Sequence, residues 1–446
     1  MIDIQGLKKV HFIGITSAFC SFCANYLIEK GVKVTASEVN QQSEDAKKWI
    51  ERGVLYEGGH SGKYITDDLD LVVLPTGPIP GNPECVVAER KNIPTIPVAK
   101  LTGIISKEFK TIAIAGTHGK TTTCALTVWM LYKALGSLPN FVIGDHILDI
   151  DRSWNYNPEN EYFVVEACEY KKQFLDRAPT PYISVITNIE LDHTDFFKSQ
   201  EQYNDAFVEF VSNTTKALVV DTKGNNIENI LRKIKEYNIE IVDVANLKDD
   251  CSNVTAGLRG DYNKQNVLRA CGVAEYLKLN VDIEDFPGVA SRFEFKGSTI
   301  NGMSVYLDYA HNPTKVKACL RATRESFPDK KIIFVWQPHS FERTYSFKDQ
   351  FAKSLDDTDI LYIPNIFAPN REERRYKELI TEEEFVDYLK EKNPSKEILY
   401  TKDFENTASL LLDKKYNSDY ICVLASAGDL YKILPSLKLE DNKDEI

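Results

Sequence analysis

Between two apolar stretches the chain reads Gly116-Thr117-His118-Gly119-Lys120-Thr121-Thr122, a spacing suited to holding phosphate. Glycines let backbone N–H groups come close to phosphate oxygens. A lysine neutralises oxygens in transfer, and a hydroxyl directly after it can ligate Mg2+. The apolar run Thr111–Ala115 before the loop reads as a strand, and a helix is expected from about Thr122 to Leu135. A helix starting there would turn its unsatisfied N–H groups toward an anion. The loop departs from the general nucleotide-binding pattern, because Ile114 stands where that pattern has its first glycine. A chance turn between strand and helix is the competing interpretation, and Gly-Lys-Thr at this junction argues against it.

Two further segments carry acid–base and metal-ligating side chains. One is Val165-Glu166-Ala167-Cys168-Glu169-Tyr170, and the other is Thr187-Asn188-Ile189-Glu190-Leu191-Asp192-His193-Thr194-Asp195. Each follows a β-rich run. Ligands of open α/β sheets gather at the carboxyl ends of strands, so Glu166 and His193 are expected to face the crevice of Lys120. Mg2+ prefers oxygen, which suits Glu166, the Thr121 hydroxyl and phosphate. His193 is a less usual ligand, and a polar loop histidine is the alternative. Glu190, Asp192 and Asp195 read as solvated or structural. Of seven histidines, His118, His193, His311 and His339 fall at such junctions, which favours chemistry over surface decoration. Cys20 and Cys23 form a C-x-x-C, but no second Cys or His pair follows at ligand spacing. They read as two residues on a helix face.

These groups need a scaffold, and the pattern supplies an α/β one. Strand signals occur at Lys9–Ile13, Val32–Thr35 and Leu69–Leu74, with a helix from Ser21 to Lys30. Alternation of this kind predicts a parallel sheet with crossover helices. More strands are expected at Tyr162–Val165, Ile183–Thr187 and Ala217–Val220, then at Ser304–Leu307, Lys331–Val335, Ile360–Ile363 and Tyr420–Leu424. At 446 residues the chain is long enough for three domains. The expected division is a Rossmann-like domain at 1–106, a central phosphate-loop domain at 107–293 and a C-terminal α/β domain at 294–446. The acidic tail after Leu439 is expected to fray.

Composition excludes several classes. Apolar residues make up 43% and charged residues 27%, as in a soluble globular chain. A net charge of −12 argues against general nucleic-acid binding. No apolar run approaches the roughly 20 residues that span a bilayer. The opening Met-Ile-Asp-Ile-Gln lacks a basic region before an apolar stretch, so the expected location is the cytoplasm. Nine scattered cysteines fit reduced thiols.

Taken in order, GTHGKTTT, VVEACEY, TNIELDH, GDYNKQN, SRF, LDYAHNPT and QPHSFERT resemble the Mur ligases over essentially the whole chain. The resemblance implies an ATP-dependent ligase that activates a carboxylate as an acyl phosphate and joins it to an amine. The last two segments look most like the members that act on UDP-N-acetylmuramate and L-alanine. ATP and Mg2+ are then implied, as is a monomer or weak homodimer. By this resemblance Gly116, Thr117, His118, Gly119, Lys120, Thr121 and Thr122 hold the ATP phosphates. Asn263 and Asn266 read the adenine, while Arg292 and Asp308 contact the nucleotide. Thr121, Glu166 and His193 complete the metal sites, and Lys120, Glu166 and His193 take part in the chemistry. Tyr309, His311, His339 and Arg343 surround the amino acid, where a guanidinium suits a carboxylate. Gly14, Thr16, Ser17 and Glu38 form the sugar-nucleotide side.

Three departures from the family pattern stand out. The first loop, Gly14-Ile15-Thr16-Ser17-Ala18-Phe19, has one glycine where the family is glycine-rich. Cys168 replaces a common aspartate, and Pro75-Thr76-Gly77 replaces a serine pair. The first and third touch the acceptor side, where the hydroxyls of Thr16 and Ser17 are expected to replace part of the lost backbone contact. Another ligase of the superfamily, pseudomurein and peptide-recycling types included, therefore stays open. So does a phosphate-loop protein that binds nucleotide without ligating.

Overall fold

The computed structural model describes residues 4–56, 58–75, 81–193, 196–247, 258, 260–280, 283–368 and 374–440. They form two compact units. One comprises Met1–Val254 with Gln265–Phe286, the other Thr255–Lys264 with Pro287–Ile446.

The first unit holds two sheets. Strands β1 (Lys9–Ile13), β2 (Lys33–Ser37), β3 (Leu71–Leu74) and β4 (Thr95–Pro97) pair in parallel in the order β2-β1-β3-β4. Helices α1 (Ala18–Glu29), α2 (Glu44–Glu51), α3 (Pro83–Arg90) and α4 (Val98–Ser106) lie between or after them. The run Lys9-Val10-His11-Phe12-Ile13 is buried from its second residue on, as expected of a parallel strand covered on both faces. Cys20 and Cys23 are fully buried on α1, and the Cys23 thiol lies 3.4 Å from the Thr102 hydroxyl. All eight described cysteines are free, so C-x-x-C here is packing.

The second sheet has seven strands. They are β5 (Lys110–Ala115), β6 (Asn140–Ile147), β7 (Arg152–Asn155), β8 (Tyr162–Glu166), β9 (Ile183–Ile186), β10 (Ala217–Val220) and β11 (Glu240–Asp243). Their order is β11-β10-β9-β5-β8-β6-β7, and only the edge strand β7 runs antiparallel to its neighbour. Helix α5 (Lys120–Leu135) follows β5, and the short α6 (Gln173–Arg177) follows β8. The two sheets share one apolar core through α1, where the Phe22 ring stacks on Phe163 at 4.7 Å. Helix α4 closes on α6 at Gly103, where a Cβ would lie 1.7 Å from the Asp176 carbonyl oxygen.

The second unit carries six strands, β12 (Glu294–Ser298), β13 (Ser304–Asp308), β14 (Lys331–Trp336), β15 (Ile360–Ile363), β16 (Glu397–Tyr400) and β17 (Tyr420–Ala425). The order is β12-β13-β17-β14-β15-β16, parallel except for β12. Every strand expected from the sequence is present, and the three-sheet α/β architecture is the one expected. The tail holds one residue longer than expected, since Glu440 exchanges backbone hydrogen bonds with Ser298 at 2.8 and 2.9 Å. Residues 441–446 lie outside the described residues.

Candidate active site

Strand β5 is buried from Thr111 onward and is followed by Gly116, whose φ of +137° is a conformation suited to glycine. A Cβ there would come 2.0 Å from the Thr187 hydroxyl. Gly119 sits at φ +78° and caps α5; its Cβ would fall 2.1 Å from Asn266 Oδ1. Both glycines thus admit neighbours that any side chain would displace. The loop is tied to the segment after β9. Asn188 Oδ1 accepts the His118 N–H at 3.0 Å, and the Thr187 hydroxyl donates to the His118 carbonyl at 2.6 Å. The Thr117 hydroxyl donates to the Glu190 carbonyl at 2.7 Å, and His118 Nε2 lies 2.8 Å from the Glu190 carboxylate. Glu190 is therefore a partner of the loop.

The Lys120 ammonium reaches Gly116 O at 2.5 Å, Thr117 O at 3.3 Å and Glu169 Oε2 at 2.9 Å. Burial alone would pull this lysine down, but Glu169, and then Glu166, hold it above its ordinary value, so it stays charged. Glu169 is 1% exposed. Its burial favours the neutral acid, yet Lys120 and His193 overcome that and bring the carboxyl down to about 2. His193 Nε2 lies 3.4 Å from Glu169 Oε1, and its ring rests against Tyr170 at 4.6 Å. Burial, then Glu169, raises the Cys168 thiol, so the residue replacing the family's aspartate adds no charge.

Glu166 ends β8 and accepts two hydrogen bonds on Oε2, from the Thr121 hydroxyl at 2.9 Å and from the Gly144 N–H at 2.8 Å. A Cβ on Gly144 would lie 2.7 Å from that oxygen and 2.9 Å from Thr121 Oγ1. The pair offers a hard carboxylate and a hydroxyl side by side, the donor chemistry Mg2+ prefers. Arg177, on α6, donates to the Glu166 carbonyl at 3.1 Å and packs over the Phe19 ring at 4.0 Å. The structure thus gathers Lys120, Thr121, Glu166 and His193, as expected, and adds Glu169, Gly144, Asn188 and Arg177. Two carboxylates three residues apart beside a strand end were the available signal for Glu169. Thr194 and Asp195 lie outside the described residues. Asn263 and Asn266 stand one turn apart on the helix Asp261–Tyr276, and both are buried.

The first sheet ends in a cleft of about 280 Å³ lined by Gly14, Thr16, Ser17, Glu38, His60 and Asn82, among others. The four residues expected on the sugar-nucleotide side therefore come together, but the hydroxyls are engaged. Thr16 donates to Glu38 Oε2 at 2.8 Å, which also receives the N–H groups of Ile15 and Thr16 at 3.2 and 3.4 Å. Ser17 Oγ accepts the Cys20 N–H and caps α1.

In the second unit, Asp308 ends β13 and accepts the Phe293 N–H at 2.9 Å. Its burial raises the carboxyl against the pull of Arg292, whose guanidinium lies 4.6 Å from the Tyr309 ring centre. His311 Nδ1 lies 2.9 Å from the Tyr309 carbonyl, so it carries the proton there. Burial, then Lys315 and Arg343, pushes His311 well below its usual range and keeps it neutral. Its ring centre is 6.1 Å from that of His339. Arg343 stands on a short helix capped by Ser340. Buried Gln337 holds this corner. Its amide nitrogen donates to Asn365 and Asp429, and its oxygen receives Ser426 O–H and Asp429 N–H.

Fold and site together define an α/β protein with a phosphate loop, an oxygen pair suited to a divalent cation, and a separate sheet carrying a histidine–arginine cluster. Three family models match the chain: the Mur ligase family catalytic domain at 9–110, the Mur ligase middle domain at 114–250 and the Mur ligase glutamate ligase domain at 291–428. Among curated proteins it is 30% identical to a UDP-N-acetylmuramate–L-alanine ligase of Caldanaerobacter subterraneus, covering 99% of each chain. It is 33% identical to one of Clostridium novyi, covering 96% of each. The fold is similar to that of the UDP-N-acetylmuramate–alanine ligase of Thermotoga maritima, with a TM-score of 0.73, 22% identity and coverage of 96% and 98%. It is also similar to a murein peptide ligase of Psychrobacter arcticus, with a TM-score of 0.65, 20% identity and the same coverage. The chain belongs to the Mur ligase family. It is an ATP-dependent amide ligase. Among the described residues no helix is long and apolar enough to cross a membrane.

Proposed function

We propose that this chain joins L-alanine to UDP-N-acetylmuramate with ATP and Mg2+, as a cytoplasmic monomer or weak homodimer, in building a peptidoglycan precursor. The observation that carries the reading is the charged loop, with Lys120 held by Glu169 beside the Thr121–Glu166 oxygen pair. That loop belongs to a chain whose full-length relatives bear this activity in their names.

The lactyl carboxylate attacks the γ-phosphate of ATP, ADP leaves, and an acyl phosphate forms. Lys120 spreads the charge that develops on the transferring oxygens, the main work in phosphoryl transfer. Glu169 keeps the ammonium charged and in the loop. Thr121 and Glu166 would hold Mg2+, which when bound neutralises the phosphate oxygens. The amino group of L-alanine then attacks the acyl carbon and phosphate leaves. The amine must lose a proton, and His193, braced by Glu169, or His339 supplies an imidazole for it. Tyr309, His311, His339 and Arg343 are assigned to the amino acid. Asn263, Asn266, Arg292 and Asp308 are assigned to the nucleotide.

The test is incorporation of labelled L-alanine, with phosphate release followed in parallel and each co-substrate omitted in turn. The reading requires release that depends on all three. Hydrolysis of ATP without acceptor would point to a nucleotide switch instead. One observation favours a second reading: Glu38 occupies the N–H groups that a diphosphate would use. A panel of muramyl and peptide acceptors tells another ligase of the superfamily from the alanine-adding one.

A further inference from the structure

The acceptor cleft rests on a chain of polar groups that the reaction does not use. Glu84, in the first turn of α3, is fully buried. Its Oε1 faces His11 Nε2 at 3.5 Å, and His11 is itself fully buried with Nδ1 2.9 Å from the Thr35 hydroxyl. On the other side, Glu84 Oε2 accepts the Ser37 hydroxyl at 2.5 Å and lies 3.0 Å from His60 Nδ1. Ser37 Oγ is 2.7 Å from the same ring nitrogen. Four elements meet here: β1 brings His11, β2 brings Ser37, α3 brings Glu84, and His60 follows Gly59 in the loop after α2. Asn82, which caps α3 by accepting the Glu84 N–H at 2.9 Å, lines the cleft together with His60.

With Glu84 taken as a carboxylate, counting donors gives the direction of each bond. A carboxylate only accepts, and the serine has one proton, which goes to Glu84. His60 Nδ1 must therefore donate, to Ser37 Oγ and Glu84 Oε2. A neutral imidazole with its proton on Nδ1 has a lone pair on Nε2. That atom has no protein partner among the described residues, and its residue borders the cleft. A buried carboxylate behind a histidine is the arrangement that orients ligating histidines elsewhere.

We propose that Glu84 is a positioning residue that locks His60 in the Nδ1–H tautomer, so that Nε2 accepts a hydrogen bond from an N–H or O–H group of the sugar nucleotide. The inference rests on the reading of this cleft as the acceptor site.

The test uses full-length protein labelled with 15N-histidine, with His60→Asn assigning the ring resonances. At neutral pH the His60 ring should show a protonated Nδ1 and a bare Nε2, and UDP-N-acetylmuramate should shift Nε2. Glu84→Gln should mix the tautomers and raise the KM for UDP-N-acetylmuramate about tenfold, one ordinary hydrogen bond, with the KM for ATP unchanged. Glu84→Asp, which keeps the charge, should recover part of that loss. Ser37→Ala serves as a milder variant should Glu84→Gln unfold: Glu84 still accepts from Nδ1, so the ring should keep its tautomer, and a switch of tautomer there would move the lock to Ser37 and overturn the proposal. A wild-type ring protonated on Nε2, or a Glu84→Gln enzyme whose two KM values rise together, overturns the proposal. Failure of the wild-type protein to bind the sugar nucleotide, with the tautomer as stated, overturns the acceptor reading and leaves the locked ring standing.

Discussion

Replacing Glu169 by glutamine keeps the shape of the buried Lys120–Glu169 pair and removes half its charge. In the native protein the carboxyl is lowered from 4.5 to about 2, with burial opposed by the nearby lysine and histidine. At about 1.36 kcal/mol per tenfold change in proton affinity, that is roughly 3 kcal/mol of stability at neutral pH. It agrees with the roughly 3–5 kcal/mol lost when one partner of a buried pair is removed. Glu169 and Lys120 are 1% and 13% exposed, so solvent screening takes little from it. The pH dependence has a definite direction. A depressed carboxyl contributes fully above its unfolded value near 4.5, and the contribution fades as pH falls toward 2. The stability gap between wild type and Glu169→Gln should therefore be about 3 kcal/mol at pH 7 and less than about half of that at pH 3. Urea unfolding followed by tryptophan fluorescence at both pH values measures it. A gap below about 1 kcal/mol at pH 7, or an equal gap at pH 7 and pH 3, would refute the pairing.

Three further outcomes are expected. Lys120→Ala should keep the fold and lower phosphate release about 10²–10³-fold, the usual cost of removing a charge-stabilising group; more than about a tenth of the activity surviving would remove its role. Arg343→Lys keeps the charge but loses the two-pronged geometry, so the KM for the amino acid should rise far more than that for ATP, and the reverse ranking would move Arg343 to the nucleotide. Gly144→Ala puts a methyl group 2.7 Å from Glu166 Oε2, so the Mg2+ concentration for half-maximal activity should rise about tenfold; an unchanged Mg2+ titration would separate Glu166 from the cation.

Apart from the edge strand β2, the strands that were legible in the sequence are the central ones. Ile112 to Ala115 in β5 and Ile332 to Val335 in β14 are fully buried, and such strands read as unbroken apolar runs. The unread ones lie mostly at sheet edges or carry polar residues. Strand β7 is Arg-Ser-Trp-Asn, β16 is Glu-Ile-Leu-Tyr, and β6 ends in Gly-Asp-His-Ile. Edge strands need cover on fewer sides, so periodicity falls below recognition. Helix α5 starts two residues earlier than expected, because Gly119 in the left-handed region caps it and Lys120 already belongs to its first turn.

For the site, residue types announced the loop lysine and the hydroxyl and carboxylate near it, because phosphate loops carry local signatures. They did not announce how the charges pair. Glu169 rather than Glu166 takes Lys120, since α5 turns the lysine back over its own loop toward the segment after β8. The first loop shows the same limit more sharply. Thr16 and Ser17 read as hydroxyls available to phosphate, and both are engaged within the protein. The reason is long-range: the parallel register pairs Ile13 with Ser37, which brings Glu38 alongside Gly14 and within reach of Thr16. A glycine-rich turn leaves its N–H groups open to an anion, whereas here a carboxylate of the chain itself takes them. On the proposed reading of this cleft as the acceptor site, a diphosphate there must displace Glu38 or lie beyond it, and His60 and Asn82 line the same cleft.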